Sequence, residues 1–312
     1  MTKVFIDGRV GTTGLRIYER LQERKDIELI TLAEEERKDP KARKTALNGA
    51  DIAFLCLPDD AAKEAVSFCN GNTVIIDTST AHRTDDAWVY GFPELKGQKE
   101  KIAASKLISN PGCHASGFIA LTAPLVSEGL IDKDAALTCF SLTGYSGGGK
   151  GMIADYEAEG REGLLKSPKV YGLNQKHKHL PEMKKYAGLN LDPVFCPIVG
   201  DFYSGVCVMV PLFKKDFKGT VSDVKELYKA YYRGRLVRYE ECPEKGIFAG
   251  MLSGYDDMTV SVSGNEERIL LISCFDNLGK GASGAAIQNM NIVLGLDEVT
   301  GLAIEKGEQK ND

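Results

Sequence analysis

The 312-residue sequence has no apolar run long enough to cross a membrane and no block of basic residues. Its longest apolar stretch, residues 118–126, is far shorter than the roughly 20 residues that a membrane-spanning helix needs. Lys and Arg total 39 against 44 Asp and Glu, which gives a net charge of −5. This balance argues against nucleic acid and against a membrane surface as partners. Since the N-terminus shows no apolar signal region, we expect a cytoplasmic protein.

Closely spaced cysteine pairs are also missing. The eight cysteines form no CxxC motif, so we expect no structural zinc site and no other bound metal. A disulfide framework is typical of small secreted domains rather than of a chain of this length. Most of the cysteines stand among apolar residues, as Cys56 does between two leucines, and we interpret about seven of the eight as small buried hydrophobic residues.

The length suggests two domains, and the pattern of strands and helices changes near residue 130. Before this point, short apolar runs alternate with helical stretches, which predicts an α/β domain with a doubly wound parallel sheet. Beyond it, several strands predict a mixed or antiparallel sheet. Met258–Ser263 and Arg268–Phe275 are predicted to form a hairpin that turns at Gly264-Asn265. A last helix is predicted at Gly284–Leu294, followed by a frayed polar end at 305–312.

A glycine motif follows the first predicted strand and opens a helix. The segment GRVGTTG contains the candidate cofactor-binding residues Gly8, Gly11, Thr12, Thr13 and Gly14. Glycines at a strand-to-helix turn let the backbone approach a pyrophosphate, while the helix N-terminus faces its negative charge. We therefore interpret this segment as a dinucleotide-binding motif.

The residue that reads the adenosine ribose is expected about 20 positions after this motif. Glu34 there favours NAD, because a carboxylate accepts hydrogen bonds from a ribose 2′-hydroxyl. Arg37 and Lys38 favour NADP, because they neutralise a 2′-phosphate. The pattern alone leaves the choice open.

Cys113 differs from the other cysteines, because polar and small residues flank it in the segment SNPGCHASG. A strand-like run leads into a Pro-Gly turn, and an apolar run after Cys113 predicts a helix, so Cys113 lies at a helix N-terminus. Because the helix dipole and free backbone N–H groups stabilise a thiolate there, we predict a reactive cysteine. His114 is expected to point elsewhere. His177 and His179 are candidate proton partners, although a pair of surface histidines fits the pattern equally well.

Two further glycine-rich segments are candidates for ligand contact. Thr143 to Lys150 (TGYSGGGK) exposes backbone N–H groups that suit a phosphate or a cofactor, and an ordinary flexible loop fits this pattern as well. Residues 276–286 (DNLGKGASGAA) contain small residues that favour close packing against a backbone or a flat ligand. In this segment Asn277 offers an amide that is suited to pairing with a carboxamide such as that of nicotinamide.

Together these segments resemble the N-acetyl-γ-glutamyl-phosphate reductase family of arginine biosynthesis, in its shorter variant. GxxGxxG, SNPGC, TGYSGGGK, HKHLPEM and DNLGKGASGAA occur here in the family's order, and the resemblance spans about residues 3–296. The segments CLPDDAA, DTSTAHR and YGFPEL are similar to the shorter form. DNLGKGA is shared with aspartate-semialdehyde dehydrogenases, which are the first alternative. The others are a dinucleotide-binding sensor without turnover and a cysteine hydrolase.

The resemblance implies NADPH-dependent reduction of N-acetyl-γ-glutamyl phosphate, a small molecule, to N-acetylglutamate semialdehyde with release of phosphate. It implies that Cys113 is the nucleophile that forms a thioester and that His179, or else His177, is the acid/base. The Cys113 backbone N–H and the Asn110 side chain are candidate oxyanion donors. Further cofactor contacts are expected at Ser146, Gly147, Asn277 and Gly281, and substrate contacts at Arg83, Arg161 and Lys150.

The resemblance also implies the domain organisation. A Rossmann-like domain is expected to contain residues 1–112 and 282–312, and a catalytic and oligomerisation domain residues 113–281. Members of the family are oligomers, so we expect a homo-oligomer, either a dimer or a tetramer. The alternating Val206, Val208 and Val210 are predicted to face a partner sheet.

Overall fold

The computed structural model describes residues 1–305, which divide into two compact units. The first unit contains Met1–Gly112 and Ala282–Gly301. The second contains Cys113–Gly281 and residues 302–305.

This division differs from the predicted one at the end of the chain. Residues 302–305 belong to the second unit rather than to the first. The physical reason is a pair of hydrogen bonds, in which Asp256 N–H donates to the Ala303 carbonyl and Ala303 N–H donates to the Asp256 carboxylate. Residues 306–312, and with them most of the end that was predicted to be frayed, lie outside the described part of the chain.

The first unit is built on a parallel six-stranded sheet. Its strands are β1 (Thr2–Asp7), β2 (Ile27–Ile30), β3 (Ile52–Leu55), β4 (Val74–Asp77), β5 (Val89–Tyr90) and β6 (Leu107–Ser109). Its first four helices are α1 (Thr12–Leu21), α2 (Pro40–Gly49), α3 (Asp59–Ser67) and α4 (Gln98–Ala103). The strand order is β2-β1-β3-β4-β6-β5. Because right-handed crossovers run in opposite directions from β1 to β2 and from β2 to β3, α1 and α2 cover opposite faces. The predicted doubly wound α/β sheet is confirmed.

The glycine motif lies where the strand order reverses, between β1 and β3. Gly8 has a φ of +84°, and a Cβ at this position would lie 2.2 Å from the carbonyl oxygen of Cys56. No side chain fits there, because the obstacle is backbone. The turn is closed by Gly11 N–H, which donates to the Gly8 carbonyl over 2.9 Å, and α1 begins directly afterwards. Parallel α/β sheets bind ligands at this kind of position.

The second unit is built on a mixed seven-stranded sheet, as predicted. Its helices are α5 (Cys113–Ser127), α6 (Gly149–Glu157), α7 (Leu180–Ala187) and α8 (Val221–Tyr231). Its strands are β7 (Thr138–Gly144), β8 (Lys169–Val170), β9 (Val194–Gly200), β10 (Val206–Phe213), β11 (Val237–Tyr239), β12 (Met258–Asn265) and β13 (Arg268–Phe275). The strand order is β11-β12-β13-β10-β7-β9-β8, in which β7/β9 and β11/β12 are parallel. The chain then returns to the first unit through α9 (Gly284–Val293).

The hairpin of β12 and β13 is confirmed, but its predicted turn is wrong. The strands stay paired through Asn265 and Arg268, so the turn consists of Glu266 and Glu267 rather than Gly264-Asn265. The Asn265 side-chain oxygen closes the turn, because it accepts the N–H groups of Glu267 (3.0 Å) and Arg268 (3.1 Å).

Helix α5 forms the core of the second unit. All of its residues from 114 to 126 are buried, and it packs against β10, β13, α7 and α8. Helix α5 is apolar on all of its faces. Within residues 1–305, no helix, α5 included, is long and apolar enough to span a bilayer. Its interior Pro124 leaves the Ala120 carbonyl without a helical donor, and the Tyr232 hydroxyl donates to that carbonyl over 2.6 Å. The proline is thereby accommodated in a buried helix.

The prediction that Val206, Val208 and Val210 face a partner sheet is wrong. All three are fully buried, and Val208 lies against α5 at Gly117. The alternate residues of β10 point to the other side of the sheet, because side chains alternate along a strand. There Met209 is paired in register with Phe140 of β7.

The turn at Gly8 gives a stability prediction. Gly8→Ala forces a Cβ into the backbone of Cys56 and strains a positive φ, so we expect the free energy of unfolding to fall by about 1–3 kcal/mol. Gly49→Ala is the control, because no atom lies within 4 Å of its Cβ position, and its free energy of unfolding should be unchanged or higher. Urea unfolding followed by circular dichroism measures both. Equal stabilities of the two variants would contradict the predicted close approach.

Candidate active site

Cys113 is the first residue of α5, as predicted. Its thiol is half-buried, at the end of the helix where backbone N–H groups lack helical acceptors. Gly281 packs directly against it, because a Cβ on Gly281 would lie 2.8 Å from the Cys113 Cβ. The Gly281 N–H donates to the Asp276 carbonyl over 3.0 Å and so fixes this turn. Two parts of the second unit therefore fix the position of Cys113: helix α5, of which it is the first residue, and the turn at 276–281, which packs against it.

The structure brings both candidate histidines to the start of α5. The rings of His177 and His179 lie 4.7 Å apart, and Phe195 of β9 packs 5.0 Å from the His177 ring. His114 lies at the centre of this cluster, 5.7 Å from the His177 ring and 5.4 Å from the His179 ring. His179 precedes α7 and is buried, whereas His177 is half-buried.

Glu182 was not predicted from the sequence, although its spacing from His179 is a local signal. It lies three residues after His179, within the first turn of α7, and is only 1% exposed. Its Oε1 lies 4.0 Å from Nε2 of His179. A carboxylate at this distance stabilises the protonated form of the imidazole.

His114 is held by two hydroxyl groups that carry no local sequence signal. Its Nδ1 lies 2.7 Å from the Ser141 hydroxyl of β7, and its Nε2 lies 2.8 Å from the Tyr171 hydroxyl. Burial lowers the pKa of His114 to about 3, and the positive charges of His177 and Lys178 add to this effect. His114 is therefore neutral at physiological pH and does not act as a cation in the cluster.

Asn110 directly follows β6 in the first unit, and Arg83 of the same unit bonds to its backbone. The Asn110 amide nitrogen donates to the Ala282 carbonyl (3.0 Å), and its oxygen accepts from the buried Asn289 of α9 (3.3 Å). Arg83 is buried as well, with Nε donating to the Asn110 carbonyl over 2.9 Å and Nη2 to the Thr78 carbonyl over 3.0 Å. Both side chains thus fix the turn that leads to Cys113 in sequence.

The glycine-rich segment after β7 is more ordered than a flexible loop. Residues Tyr145–Gly148 form a 3₁₀ turn, followed directly by α6. Asn277 Nδ2 donates to the Ser146 hydroxyl over 3.0 Å, and its Oδ1 accepts the Gly205 N–H over 2.8 Å. Both ends of the Asn277 amide thus hold this segment, and the pairing of Asn277 with a ligand carboxamide stays a prediction. Gly147 and Lys150 are exposed beside it.

Arg161 has a carboxylate partner of its own. It forms a bidentate pair with Asp201, at 2.8 Å and 2.6 Å, and also donates to the Tyr156 carbonyl over 2.6 Å. This pair fixes the orientation of the Arg161 guanidinium, and the substrate contact of Arg161 stays a prediction.

The residues that were expected to select the cofactor share one turn after β2. Arg37 lies 3.7 Å from Glu34, in a pair whose carboxylate is almost fully exposed, and Lys38 is exposed next to it. Exposed ion pairs of this kind are weak. The ion pair with Glu34 therefore does not prevent Arg37, or the neighbouring Lys38, from pairing with a phosphate group.

The cysteines form no disulfide, and all eight lie in the described part of the chain. Cys139, Cys207 and Cys274 are buried, and the other five, Cys113 included, are half-buried. Within residues 1–305, no group of three or more His, Cys, Asp or Glu side chains is arranged to hold a metal ion.

Comparison with known families identifies both units. Residues 3–104 match the family model described as semialdehyde dehydrogenase, NAD binding domain. Residues 113–277 match the one described as semialdehyde dehydrogenase, dimerisation domain.

Curated relatives match nearly the whole chain. It is 44% identical over 318 residues to "N-acetyl-gamma-glutamyl-phosphate reductase 2" of Nostoc sp., a match that covers 96% of this chain and 99% of the relative. It is 46% identical over 306 residues to "N-acetyl-gamma-glutamyl-phosphate reductase" of Brucella ovis, covering 94% and 99%.

Solved structures share the fold at low sequence identity. Aspartate semialdehyde dehydrogenase II of Vibrio cholerae superposes with a TM-score of 0.71 at 17% identity, over 94% of this chain and 98% of that one. Aspartate semialdehyde dehydrogenase with NADP from Candida albicans gives a TM-score of 0.70, also at 17% identity and with the same coverage.

The buried His114 gives a pH prediction. Its pKa is about 3 in the folded protein against 6.5 normally, so the unfolded chain binds more protons between these values. Above about pH 6.5 His114 is neutral in both states and does not lower the free energy of unfolding. As the pH falls below this value, His114 binds a proton only in the unfolded chain, so the free energy of unfolding decreases. Between pH 7.5 and pH 5 we expect wild type to lose about 2 kcal/mol more than His114→Gln. Urea unfolding at both pH values measures this, and parallel losses would contradict it.

Proposed function

Since the chain belongs to the N-acetyl-γ-glutamyl-phosphate reductase family of semialdehyde dehydrogenases, we propose that it reduces N-acetyl-γ-glutamyl phosphate to N-acetylglutamate semialdehyde and releases phosphate. The chain is then an oxidoreductase that acts on an acyl phosphate. One observation carries the proposal: Cys113 begins a buried helix beside a histidine cluster, in a chain 44–46% identical to relatives of this name.

The residues of the first unit fit a nicotinamide dinucleotide. A side chain at Gly8 would fill the space next to the backbone of Cys56. Helix α1 begins after this turn, and no side chain caps the N–H groups of its first turn. These groups suit a pyrophosphate. When bound, the cofactor supplies the hydride for the reduction. We propose NADP rather than NAD, because Arg37 and Lys38 place two cations in the turn where a 2′-phosphate is read, and Arg37 also offsets the charge of Glu34.

The first step forms a thioester on Cys113. The thiol loses its proton to His179, and the thiolate attacks the γ-carbonyl carbon, so that the carbon–sulfur bond forms as the bond to phosphate breaks. Glu182, 4.0 Å from the His179 imidazole, stabilises the resulting imidazolium. His177 is the second candidate for the base, because its ring lies 4.7 Å from that of His179.

In the second step, hydride addition to the thioester carbon gives a thiohemiacetal on Cys113, which collapses to the aldehyde and the thiolate. The oxyanion that develops in both steps requires hydrogen-bond donors. We assign the backbone N–H of Cys113, at the N-terminus of α5, as one donor. The Asn110 side chain, which bonds to the Ala282 carbonyl through its amide nitrogen, remains our candidate for the other donor.

The substrate carries a carboxylate and a phosphate, which require cationic groups. Our candidates for these contacts remain Arg83, Arg161 and the exposed Lys150. The candidates for contact with the cofactor remain Ser146, Gly147, Asn277 and Gly281. Asp201 holds the guanidinium of Arg161 through two hydrogen bonds.

The alternatives receive less support. The solved aspartate semialdehyde dehydrogenases share the fold at 17% identity, whereas the relatives at 44–46% identity are named as reductases of the glutamyl phosphate. A dinucleotide sensor needs no cysteine at a helix N-terminus beside three histidines. A cysteine hydrolase needs no dinucleotide, so this alternative does not account for the turn at Gly8.

We also propose a homo-oligomer that is formed through the sheet face opposite α5. One row of that face runs across four strands in register, through Cys196, Phe140, Met209 and Ile272. Phe140 is 38% exposed in the single chain. Cys196 and Met209 are half-buried and Ile272 is buried, so the exposed part of this apolar row centres on Phe140. On a unit that matches a dimerisation domain, this exposed part is suited to a second copy of the chain.

The cysteines support a cytoplasmic location. All eight are free thiols, and reduced thiols persist in reducing compartments. We therefore propose the cytoplasm as the place where the enzyme works.

The function is tested in the reverse direction. Wild-type protein with N-acetylglutamate semialdehyde, phosphate and NADP⁺ should produce NADPH, followed by its absorbance, and the rate should depend on phosphate. Cys113→Ser should lower the rate by more than about 10³-fold. Cys69→Ser, a half-buried cysteine at the end of α3, is the matched control and should retain activity. No reduction of NADP⁺ or NAD⁺, or a preference for aspartate semialdehyde, would contradict the proposal.

The assembly is tested with an added charge. Phe140→Asp places a carboxylate in the proposed interface, so we expect the particle mass from light scattering to fall to that of a smaller species. Leu164→Asp, at a residue 74% exposed in a short 3₁₀ turn, is the control and should leave the mass unchanged. An unchanged mass for Phe140→Asp would place the interface elsewhere.

A further inference from the structure

Three side chains near Cys113 form a hydrogen-bonded chain that the proposed reaction does not use. Ser141 of β7 bonds to Nδ1 of His114 over 2.7 Å, and Nε2 of His114 bonds to the Tyr171 hydroxyl over 2.8 Å. Ser141 is fully buried and His114 nearly so. His114 follows Cys113 directly in α5, so the chain is attached to the helix turn that carries the nucleophile.

The direction of this chain follows from Ser141. Among the described residues, the Ser141 hydroxyl has one hydrogen-bond partner, Nδ1 of His114. A buried hydroxyl hydrogen without an acceptor costs about 1–3 kcal/mol, so Ser141 donates its proton to Nδ1. A neutral imidazole carries one proton, which must then lie on Nε2. Nε2–H therefore donates to the Tyr171 oxygen.

When Ser141 donates to His114 and His114 donates to Tyr171, the hydroxyl hydrogen of Tyr171 takes no part in this chain of hydrogen bonds. The Tyr171 oxygen accepts from His114, so its own O–H is not needed within the chain and points to another acceptor. Tyr171 bonds to His114, the residue after Cys113, so its hydroxyl lies beside the first turn of α5. Burial raises the pKa of Tyr171, and a negative charge on Cys113 raises it further, so the phenol remains protonated when the thiolate forms.

We propose that Tyr171 is a catalytic residue that donates a hydrogen bond to the Cys113 thiolate, with His114 and Ser141 as positioning residues that fix the direction of its proton. No bond to a heavy atom is made or broken in this step. The inference rests on the proposed role of Cys113 as the nucleophile. Tyr171 stabilises the thiolate before attack and again when the thiohemiacetal releases it, while His179 moves the proton.

Other charged and titratable groups also face this site within the second unit. They are His177, Lys178, His179 and Glu182 in and before α7, and Asp276 and Lys280 in the turn that contacts Cys113. The test therefore compares variants in which all of these groups are unchanged.

The pH dependence of Cys113 alkylation by iodoacetamide tests the proposal. The labelled Cys113 peptide is quantified by mass spectrometry in the full-length protein. Tyr171→Phe removes one charge-assisted hydrogen bond to the thiolate, so we expect the midpoint of the profile to rise by about one pH unit. Tyr231→Phe, a half-buried tyrosine at the end of α8, is the control and should keep the wild-type midpoint.

Ser141 provides a second test, which needs no change at Tyr171. In Ser141→Ala, Nδ1 of His114 loses its donor, so the imidazole is free to place its proton there and to accept from Tyr171 instead. The midpoint should rise in the same direction, and Ser141→Thr, which restores a hydroxyl, should return it toward the wild-type value. The melting temperature of each variant separates this effect from unfolding.

Two results would overturn the proposal. One is a Tyr171→Phe profile that coincides with that of wild type in a protein that remains folded. The other is equal midpoints for Ser141→Ala and Ser141→Thr, which would show that Ser141 does not set the direction of the chain. Alkylation requires neither the acyl phosphate nor the dinucleotide, so failure of the proposed function leaves this test unaffected and failure of this test leaves the reverse reaction unaffected.

Discussion

The packing of α5 is the constraint on which the rest of the second unit depends. Every residue from 114 to 126 is buried, so the helix cannot shift or rotate without repacking β10, β13, α7 and α8. Cys113 is the first residue of this helix and shares its rigidity. The same packing brings His114 against β7 and against the segment that contains His177 and His179. The packing of α5 thereby fixes the position of Cys113.

The two units use backbone geometry in a similar way. In the first, the turn at Gly8 exists because the backbone of Cys56 leaves no room for a side chain, and it opens the N-terminus of α1. In the second, Gly281 leaves room for Cys113 at the N-terminus of α5. Each helix N-terminus presents N–H groups to a negative charge, which is a pyrophosphate in one proposal and a thiolate or oxyanion in the other. Side chains such as Asn277 and Asn110 hold the surrounding turns.

The sequence predicts the parts of this fold that local patterns determine. Alternating apolar runs and helical stretches predict the doubly wound sheet of the first unit, and the Pro-Gly turn before an apolar run predicts the start of α5. Helix α2 escapes prediction because a run of charged residues obscures its start, although Asp39 caps it and Pro40 opens it. The buried face of β10 is also ambiguous, because residues on both sides of the strand are apolar. Ser141 and Tyr171 have no local signal at all, since only the pairing of β7, β8 and β9 brings their segments together.

The account depends most on covalent catalysis by Cys113, and one experiment addresses this directly. Enzyme, N-acetylglutamate semialdehyde and NADP⁺ are mixed without phosphate, so that the reaction stops before the acyl group is transferred. The account predicts a burst of one NADPH per active subunit and an N-acetylglutamyl group on the Cys113 peptide, which added phosphate removes. NADPH formation with Cys113 unmodified, or the acyl group on another residue, would contradict it.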